Sequence, residues 1–316
     1  MIFMSEAEVL QRLSLELAYE AVEQALVAAS DGSGTVYPVL IGGGFRAGEV
    51  FAVKAGNSPA EQIIGLKIGS YWPGNAARGI ARHGSAVVLL DPDTGRMRAV
   101  VEASCMNGPR TAAADAVAAA RLANPAAETL TVIGAGHQAR FEVFAICAVR
   151  PIRRVLIVSS DQRSATSLQG HLSLLQGIEV VCTDMERGCR EADILVTVTS
   201  AHEPLFAANW IRPGTHVSSM GSDQPGKQEL PVDLLRHGKL FCDSPRQSVS
   251  MGEFQHVKTQ IEDGSIKITA IGDVVRGAAP GRESASEITI FDSSGIALQD
   301  LYVAARLIRD RSGEQG

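Results

Sequence analysis

The stretch Leu130-Thr131-Val132-Ile133-Gly134-Ala135-Gly136-His137-Gln138-Ala139 decides the fold of this chain. Its first four residues predict a short buried strand, and a turn of the form G-x-G-x-x-A then opens a helical stretch to about Val149. The first glycine permits a tight turn, the second lets the backbone approach a pyrophosphate, and Ala139 lets helix and strand pack closely. The helix N-terminus offers free N–H groups to an anion. The pattern predicts a dinucleotide site, and a glycine turn without a ligand is the alternative.

The chain after this turn alternates strands with helical stretches. Such alternation predicts βαβ units on a parallel sheet, and we expect a Rossmann-type domain over residues 125–293. The predicted strands are Arg154–Ser159, Glu179–Thr183, Ile194–Thr199, His216–Met220 and Lys239–Cys242.

The chain before the turn has a different pattern. Ser5 and Glu8 form a capping box ahead of one helix to about Ala29, or of two helices with a break near Ser14. Turns rich in Gly, Pro and Asn then separate four short strands, and an alanine-rich helix follows. The pattern predicts an α+β domain with a largely antiparallel sheet over residues 1–124. Together with the Rossmann-type domain, it predicts a protein of the α/β class. The predicted elements are strands 36–41, 49–54, 63–70 and 85–91 and helix 110–123.

Composition excludes several classes of protein. The chain has 316 residues, 45% of them hydrophobic, and a net charge of −6. These values indicate a globular protein of about two domains, and the absence of a basic excess argues against nucleic acid as a partner. No apolar run reaches the roughly 20 residues that cross a bilayer, and the start lacks a basic region, so we expect neither membrane attachment nor a signal peptide. Five scattered cysteines without a C-x-x-C pair favour reduced thiols in the cytoplasm and no metal site.

The sequence leaves the choice of nicotinamide coenzyme open. An acidic residue at the end of the second strand of such a domain binds the ribose 2′-hydroxyl of NAD. Here that strand ends in Ser159-Ser160, with Asp161 and Arg163 beyond it. The two hydroxyls and Arg163 suit the 2′-phosphate of NADP, whereas Asp161 suits NAD as a displaced acid. We therefore expect NAD(P)(H), with a slight preference for NADP.

Three further segments place charged residues where they are unusual. Lys67 lies inside an otherwise apolar strand, where lysine is rarely buried without a partner. Arg110 stands at the start of a helix, and its planar guanidinium suits a carboxylate. Asp223 follows a predicted strand, at the edge of the sheet where ligands bind. The alternatives are a lysine that reaches solvent, an arginine paired with Glu102 or Asp115, and an aspartate that caps the turn at residues 225–226.

These segments resemble the ornithine cyclodeaminase/mu-crystallin family over nearly the whole chain. The resemblance is carried by the stretches Lys67–Asn75, Arg110–Ala113, Gly134–Ala139, Asp223–Leu230 and Phe291–Asp300. It implies a homodimer in which a C-terminal helix, residues 294–316, completes the substrate-binding and dimerisation domain. Members of the family reduce imines of amino acids, deaminate amino acids or cyclise ornithine.

The resemblance also implies roles for individual residues. Lys67 and Arg110 would hold the substrate α-carboxylate, Asp223 would face the reacting nitrogen, and Tyr71 would line the pocket. Thr111, the glycine turn, Lys227 and Ser293 would line the nicotinamide nucleotide. With the residues considered above for the ribose, the full set predicted for the coenzyme is Arg110, Thr111, Gly134, Gly136, His137, Gln138, Ala139, Ser159, Ser160, Arg163, Thr199, Met220, Lys227 and Ser293.

Two departures from the family pattern bear on the substrate. Phe51 stands where cyclodeaminases have a glutamate, and Leu40 and Ile41 stand where they have an arginine. Lys54 replaces a proline that many relatives have, and Arg46 lies nearby in sequence. A second cation suits a second carboxylate, and the pattern is similar to that of the family's iminosuccinate reductases.

We therefore expect NAD(P)H-dependent reduction of a 2-imino acid to an L-amino acid, with iminosuccinate to L-aspartate as the first candidate. The other candidates are an ornithine cyclodeaminase, a 1-pyrroline-2-carboxylate or ketimine reductase, an alanine dehydrogenase, and a dinucleotide-dependent binding protein without activity.

Overall fold

The computed structural model describes residues 1–313, which form two compact units. Unit 1 consists of Met1–Arg110 and of the chain from Ile296 onward, and unit 2 is Thr111–Gly295. The division falls after Arg110, whereas the sequence analysis placed it after residue 124. The last three residues of the predicted C-terminal helix, 314–316, lie outside the described part. The α/β class, with a parallel and a largely antiparallel sheet, is confirmed.

The elements are numbered along the chain. The first part contains β1 (Ile2–Met4), α1 (Glu6–Arg12), α2 (Leu15–Asp31), β2 (Thr35–Val36), β3 (Leu40–Gly43), β4 (Val50–Ser58), β5 (Ile63–Tyr71), β6 (His83–Leu90), β7 (Met97–Glu102) and α3 (Asn107–Leu122). The next part contains β8 (Thr129–Ile133), α4 (His137–Val149), β9 (Arg154–Val158), α5 (Gln162–Leu172), β10 (Glu179–Cys182), α6 (Met185–Glu191), β11 (Ile194–Thr197) and β12 (His216–Ser219). The last part contains α7 (Val232–His237), β13 (Lys239–Cys242), α8 (Pro245–Met251), α9 (Lys258–Glu262), β14 (Ile268–Ala270), α10 (Ile271–Val275), β15 (Thr289–Asp292) and α11 (Ala297–Ser312).

Unit 1 is built on a sheet with the strand order β1-β7-β6-β5-β4-β2, in which β3 also pairs with β4. The pairings are antiparallel except that β1 runs parallel to β7. The N-terminal helix is in fact two helices, capped by the side chains of Ser5 and Ser14, as the capping box and the expected break indicate.

Helices α2 and α11 of unit 1 contact each other, and α11 packs on strands β4, β5 and β6 of the sheet. Small residues permit this close approach. A β-carbon placed on Gly65 would lie 2.2 Å from the carbonyl oxygen of Val88 and 3.1 Å from the Leu301 side chain. The Tyr302 hydroxyl forms a hydrogen bond of 2.7 Å with the Ser58 hydroxyl, which ties α11 to β4.

The strand register decides which side chains share a face of the unit 1 sheet. Lys54 lies opposite Lys67, and Lys67 lies opposite Val87 on the next strand. Directly opposed residues of antiparallel strands point to the same side, and so do residues two apart along a strand. The side that carries Lys54 and Lys67 is called the lysine face below, and it is the side on which α11 packs, because Lys67 contacts Asp300 of that helix.

Three parts of the predicted unit 1 differ from the structure. The strand predicted over residues 36–41 is wrong, since it is split into β2 and β3. Pro38 stands between them, and proline has no N–H for the ladder. Strands β1 and β7 were not predicted from the sequence. With three residues, β1 is too short to show a period of two, and it forms as a strand by pairing with β7.

Unit 2 is built on a parallel sheet with the strand order β10-β9-β8-β11-β12-β15-β13-β14. All five strands predicted after the glycine turn are present, each ending within two residues of its predicted end, while β14 and β15 were not predicted. Strand order reverses between β8 and β11, which pair with each other. In open parallel sheets, ligands bind at such a switch point, outside the carboxyl ends of the strands.

The helices of the described residues include none that is both long and apolar enough to span a membrane.

Candidate active site

Lys67 is buried in unit 1, with a relative exposure of 7%. Its Nζ lies 2.7 Å from Oδ1 of Asp300 and also donates to Oδ1 of Asn107. The alternative of a lysine that reaches solvent is therefore wrong. Burial lowers the pKa of Lys67 to about 8, with Asp300 opposing and Arg110 reinforcing the shift.

Arg110 shares the same acidic partner. Its Nε lies 3.0 Å from Oδ1 of Asp300, and its Nη1 donates to Oε1 of Gln299 at 3.2 Å. The observed partner is thus neither Glu102 nor Asp115, the two structural partners proposed from the sequence. Burial raises the pKa of Asp300, but Arg110 and Lys67 outweigh burial and hold it below the usual value. Asp300 is therefore an anion that fixes two cations.

Three buried polar atoms beside this pair have no hydrogen-bond partner among the described residues: Arg110 Nε, Gln299 Nε2 and Asp300 Oδ2. The approach of Arg110 Nε to Asp300 is an ion pair without hydrogen-bond geometry. Leaving a buried polar group unpaired costs about 1–3 kcal/mol. Such groups in a native structure require an explanation, and a ligand or water that completes the hydrogen bonding is one. Two of the three atoms are donors, which suits an acidic ligand.

Lys54 adds a third cation on the same face. It lies directly opposite Lys67 across β4 and β5. It contributes to lowering the pKa of both Lys67 and Asp300. Like charges directly opposed are unfavourable in a sheet, so this arrangement is a cost to folding. We call this group the cation cluster; it consists of Lys54, Lys67 and Arg110 with the anion Asp300.

The other residues predicted to bind substrate lie elsewhere in unit 1. Arg46 is exposed in the turn between β3 and β4, where its backbone N–H donates to Glu49. Tyr71 lies on the lysine face at the end of β5. Its ring centroid is 4.8 Å from that of His83, the residue opposite it on β6. Of the predicted substrate residues, the structure brings Lys54, Lys67 and Arg110 together.

In unit 2 the glycine turn has the conformation that the motif requires. Gly134 follows β8 with φ +106°, and a β-carbon there would lie 2.7 Å from the Val198 carbonyl oxygen, beside the end of β11. Gly136 is the N-cap of α4 and provides no side-chain hydrogen bond to the helix. The first N–H groups of α4 therefore have no side-chain cap, which suits an anionic ligand. Ala139 is buried, and the Gln138 amide donates to Glu142 at 2.7 Å.

Asp161 caps α5 with both of its carboxylate oxygens. Oδ1 accepts from the Arg163 N–H, and Oδ2 accepts from the N–H and hydroxyl of Ser164. These hydrogen bonds, first of all from Ser164, lower the pKa of Asp161. Its carboxylate is thus engaged by the helix, which favours the interpretation that it is not the ribose ligand. Ser159 bonds to the Asp161 backbone, while Ser160 and Arg163 are exposed.

Glu229 is a residue of the site whose role the sequence analysis missed. It is fully buried and accepts hydrogen bonds from five donors. The donors are the Thr199 N–H (2.6 Å) and hydroxyl (2.8 Å), the Gly221 N–H (2.9 Å), and the hydroxyls of Thr197 (2.8 Å) and Ser219 (2.9 Å). All belong to the carboxyl ends of β11 and β12 or to the residues that follow. Glu229 therefore holds the two strand ends that contain Thr199 and Met220, two residues predicted to bind the coenzyme.

Two more buried carboxylates hold neighbouring loops of unit 2. Asp243 accepts from the hydroxyls of Ser293 and Ser294 at 3.3 Å and from the Gly295 N–H at 2.7 Å. Glu253 accepts from the backbone N–H of Glu229 and Leu230, and burial raises its pKa to about 7. Ser293, predicted to line the coenzyme, is thus fixed in place.

Asp223 and Lys227 form an ion pair with 2.6 Å between Oδ1 and Nζ, and Lys227 also donates to the Gly221 carbonyl. The carboxylate of Asp223 is about half exposed. The observed partner of Asp223 is Lys227, and this pairing was not predicted from the sequence. Thr111 is partly buried in the second turn of α3.

The two units together define a class: a dinucleotide-binding sheet joined in one chain to a unit with a cation cluster around buried Lys67 and Asp300. A model of the ornithine cyclodeaminase/mu-crystallin family matches residues 1–316, and the chain belongs to that family.

Three relatives give the degree of similarity. The chain is 35% identical to the iminosuccinate reductase of Paracoccus denitrificans over 98% of this chain and 96% of the relative. The crystal structure of that reductase with NAD+ matches with a TM-score of 0.92, covering 99% of this chain and 98% of the other.

An archaeal alanine dehydrogenase dimer with bound NAD is 30% identical with a TM-score of 0.91, covering 100% and 98% of the two chains. The Thermococcus litoralis Δ1-pyrroline-2-carboxylate reductase with NADH and L-proline is 28% identical with a TM-score of 0.90, covering 99% and 98%.

We expect Asp161→Asn to leave the KM for NADH and for NADPH within about twofold of wild type, because asparagine caps a helix as well as aspartate does. Asp161→Ala should lower the Tm, because the cap of α5 is lost. Steady-state kinetics with both coenzymes and thermal unfolding provide the measurements. An NADH KM that rises about tenfold or more in Asp161→Asn would show that the carboxylate binds the ribose.

We expect Glu229→Ala to lower the free energy of unfolding by about 2–4 kcal/mol, because it leaves five donors without their common acceptor. Glu229→Gln keeps the shape but offers one acceptor oxygen, so its loss should be smaller. Denaturant unfolding measures the stability, and titration with the reduced coenzyme measures its affinity. Equal stability of wild type and Glu229→Ala would contradict the proposed role.

Proposed function

We propose that this protein reduces a 2-imino acid to an L-amino acid with NADH or NADPH, and that iminosuccinate, which yields L-aspartate, is the preferred substrate. The observation that carries the proposal is the cation cluster with its unpaired donors. The similarity to imine reductases and amino-acid dehydrogenases supports the type of reaction.

The cation cluster suits an acid group for reasons of charge and geometry. Asp300 holds Lys67 and Arg110 side by side, with distances of 2.7 and 3.0 Å to one carboxylate oxygen. Arg110 Nε and Gln299 Nε2 lack hydrogen-bond acceptors. A substrate α-carboxylate would supply acceptors to both and would accept from Lys67. Hydrogen bonds between charged groups are roughly twice as strong as neutral ones.

The charge of the cluster favours a substrate with two carboxylates. Lys54, Lys67 and Arg110 carry three positive charges and Asp300 carries one negative charge, so these four groups sum to about +2. Buried charges are costly unless they are paired. A dicarboxylate such as iminosuccinate brings two negative charges to this cluster, whereas a monocarboxylate brings one.

Unit 2 would bind the coenzyme, which supplies the hydride when it is bound. We propose that the helix N-terminus at Gly136 holds the pyrophosphate, and that Ser293 and the strand ends held by Glu229 line the nucleotide. We further propose that Asp223 stabilises the protonated iminium nitrogen electrostatically, which favours the more electrophilic form of the substrate. The protein's contribution is to bind, orient and polarise the two reactants.

Cyclodeaminase activity is not supported by the residues on the lysine face. Cyclisation with loss of ammonia needs acid–base assistance at the nitrogens. Phe51, aligned with the cyclodeaminase glutamate, lies opposite Ser70 and therefore on the side of the sheet away from Lys67. On the lysine face, the neighbouring positions of β4 are Val50 and Ala52, which carry no acid.

We also propose that the protein is a cytoplasmic homodimer. The side of the unit 1 sheet opposite to the lysine face carries apolar residues without a covering layer in the described chain. Leu40 and Ile68 are exposed by 56% and 43%. Apolar patches of this kind mark protein interfaces, and the similar archaeal alanine dehydrogenase is a dimer. The apolar residues on this side are Leu40, Phe51, Val53, Leu66, Ile68 and Val88.

The function is tested by oxidation of NADH and NADPH in the presence of ammonia and either oxaloacetate or pyruvate. We expect Lys54→Met to lower kcat/KM for the dicarboxylic imine at least about tenfold more than for the monocarboxylic one, because one cation of the cluster is removed. Arg46→Met is the matched control, since it removes an exposed cation of the same unit. Equal losses for the two imines in Lys54→Met would contradict the dicarboxylate assignment, and no oxidation with any imine would contradict the function.

The pKa of Lys67 predicts the pH dependence of carboxylate binding. Lys67 is protonated below about pH 8 and loses its charge above it, so the inhibition constant of succinate should rise by up to about tenfold per pH unit above that value. In Lys67→Met, succinate should bind more weakly at neutral pH, and its inhibition constant should not rise with pH in this way. The measurement is competitive inhibition from about pH 7 to about pH 9. The same slope in the variant would exclude Lys67 as the titrating group.

A further inference from the structure

The lysine face of unit 1 contains an open space beside the cation cluster. A β-carbon placed on Gly69 would have no atom within 4 Å, although Gly69 lies on β5, which has β4 on one side and β6 on the other. Its backbone is not in the left-handed region, so the missing side chain is not required by the conformation. The sheet is elsewhere packed closely, as at Gly65, where a β-carbon would collide with Val88.

The strand register defines the walls of this space, which we call the Gly69 recess. Its floor consists of Ala52, Gly69 and Ser85, which oppose one another across β4, β5 and β6. All three have small side chains. Two residues before Gly69 on β5 lies Lys67, which is opposite Lys54 on β4. Two residues after Gly69 lies Tyr71, which is opposite His83 on β6.

The two ends of the recess differ in chemistry. At one end the cations Lys54 and Lys67 stand side by side, and at the other Tyr71 and His83 are in ring contact at 4.8 Å. Lys67 and Tyr71 are four residues apart on an extended strand, which corresponds to about 13 Å. That length accommodates the chain of a four-carbon dicarboxylate beside the cation cluster.

The recess is also linked to Arg110 by hydrogen bonds and an ion pair within unit 1. The Ser85 hydroxyl accepts from Nδ2 of Asn107 at 3.1 Å, and Oδ1 of Asn107 accepts from Lys67. Lys67 in turn contacts Asp300, the ion-pair partner of Arg110. The floor of the recess and the acid-binding groups are therefore connected through polar contacts.

We propose that the Gly69 recess receives the side chain of the substrate, and that the absence of a side chain at residue 69 determines how large that side chain can be. The inference rests on the proposed function, because it takes the cation cluster as the site of the α-carboxylate. Residue 69 is then a specificity-determining position, and Ala52 opposite it is a second one. Neither residue is charged, so their effect is on volume and not on the chemistry of the reaction.

The test compares two imines of different size, formed with ammonia from oxaloacetate and from glyoxylate, whose imine has no side chain. We expect Gly69→Val to lower kcat/KM for the larger imine at least about tenfold more than for the smaller one, with the KM for the coenzyme within about twofold of wild type. Gly170→Ala is the matched control, since a β-carbon at Gly170 in α5 also meets nothing within 4 Å. Equal losses for both imines, or a change confined to the coenzyme KM, would overturn the proposal. Ala52→Val should show the same selectivity, and it replaces Gly69→Val if that variant does not fold.

A binding measurement separates this inference from the proposed function. Succinate should raise the Tm of wild type and of Gly170→Ala, and this shift should be lost in Gly69→Val. If no imine is reduced but the succinate shift still depends on residue 69, the recess stands and the proposed function falls. If succinate raises the Tm of Gly69→Val as much as that of wild type, the recess is not the binding site.

Discussion

The buried carboxylate of Asp300 forms ion pairs with Lys67 and Arg110 within unit 1. Lys67 lies in β5, Arg110 in the first turn of α3 and Asp300 in α11, so one anion connects three parts of the chain that are distant in sequence. Removing either partner of a buried pair leaves an uncompensated charge, at a cost of about 3–5 kcal/mol. Stability alone does not explain the arrangement, because apolar residues of similar volume often replace buried pairs without loss. The proposal that the cluster binds a ligand rests on the unpaired atoms of Arg110, Gln299 and Asp300.

Unit 2 uses buried carboxylates in a different way. Glu229, Glu253, Asp243 and Asp292 accept hydrogen bonds from backbone N–H groups and hydroxyls at the carboxyl ends of the strands. Burial raises the pKa of Asp292 well above its usual value and that of Glu253 to about 7. The loops that surround the predicted coenzyme site are thus held in part by buried hydrogen-bond acceptors.

The sequence predicted the parallel sheet and the glycine turn well, because both are local patterns: a strand, a turn with two glycines and a helix are read from ten adjacent residues. Lys67 and Arg110 were also found from local context, a lysine in an apolar strand and an arginine at a helix start. Asp300 and Glu229 were quoted in family motifs without a role. The reason is distance along the chain: Asp300 lies 233 residues from Lys67, and a single sequence contains no signal for such a pairing. The side of the sheet on which Phe51 lies, and the open space at Gly69, follow from strand register, which only the folded chain defines.

The central claim is that the cation cluster binds the acid group of the substrate through the atoms that now lack partners. A crystal structure with oxidised coenzyme and succinate tests it most directly. We predict that one succinate carboxylate lies within hydrogen-bond distance of Lys67 Nζ, Arg110 Nε and Gln299 Nε2, with the chain of the ligand over Gly69. A succinate bound elsewhere, with Arg110 Nε and Gln299 Nε2 still unpaired or bridged by water alone, would contradict the account.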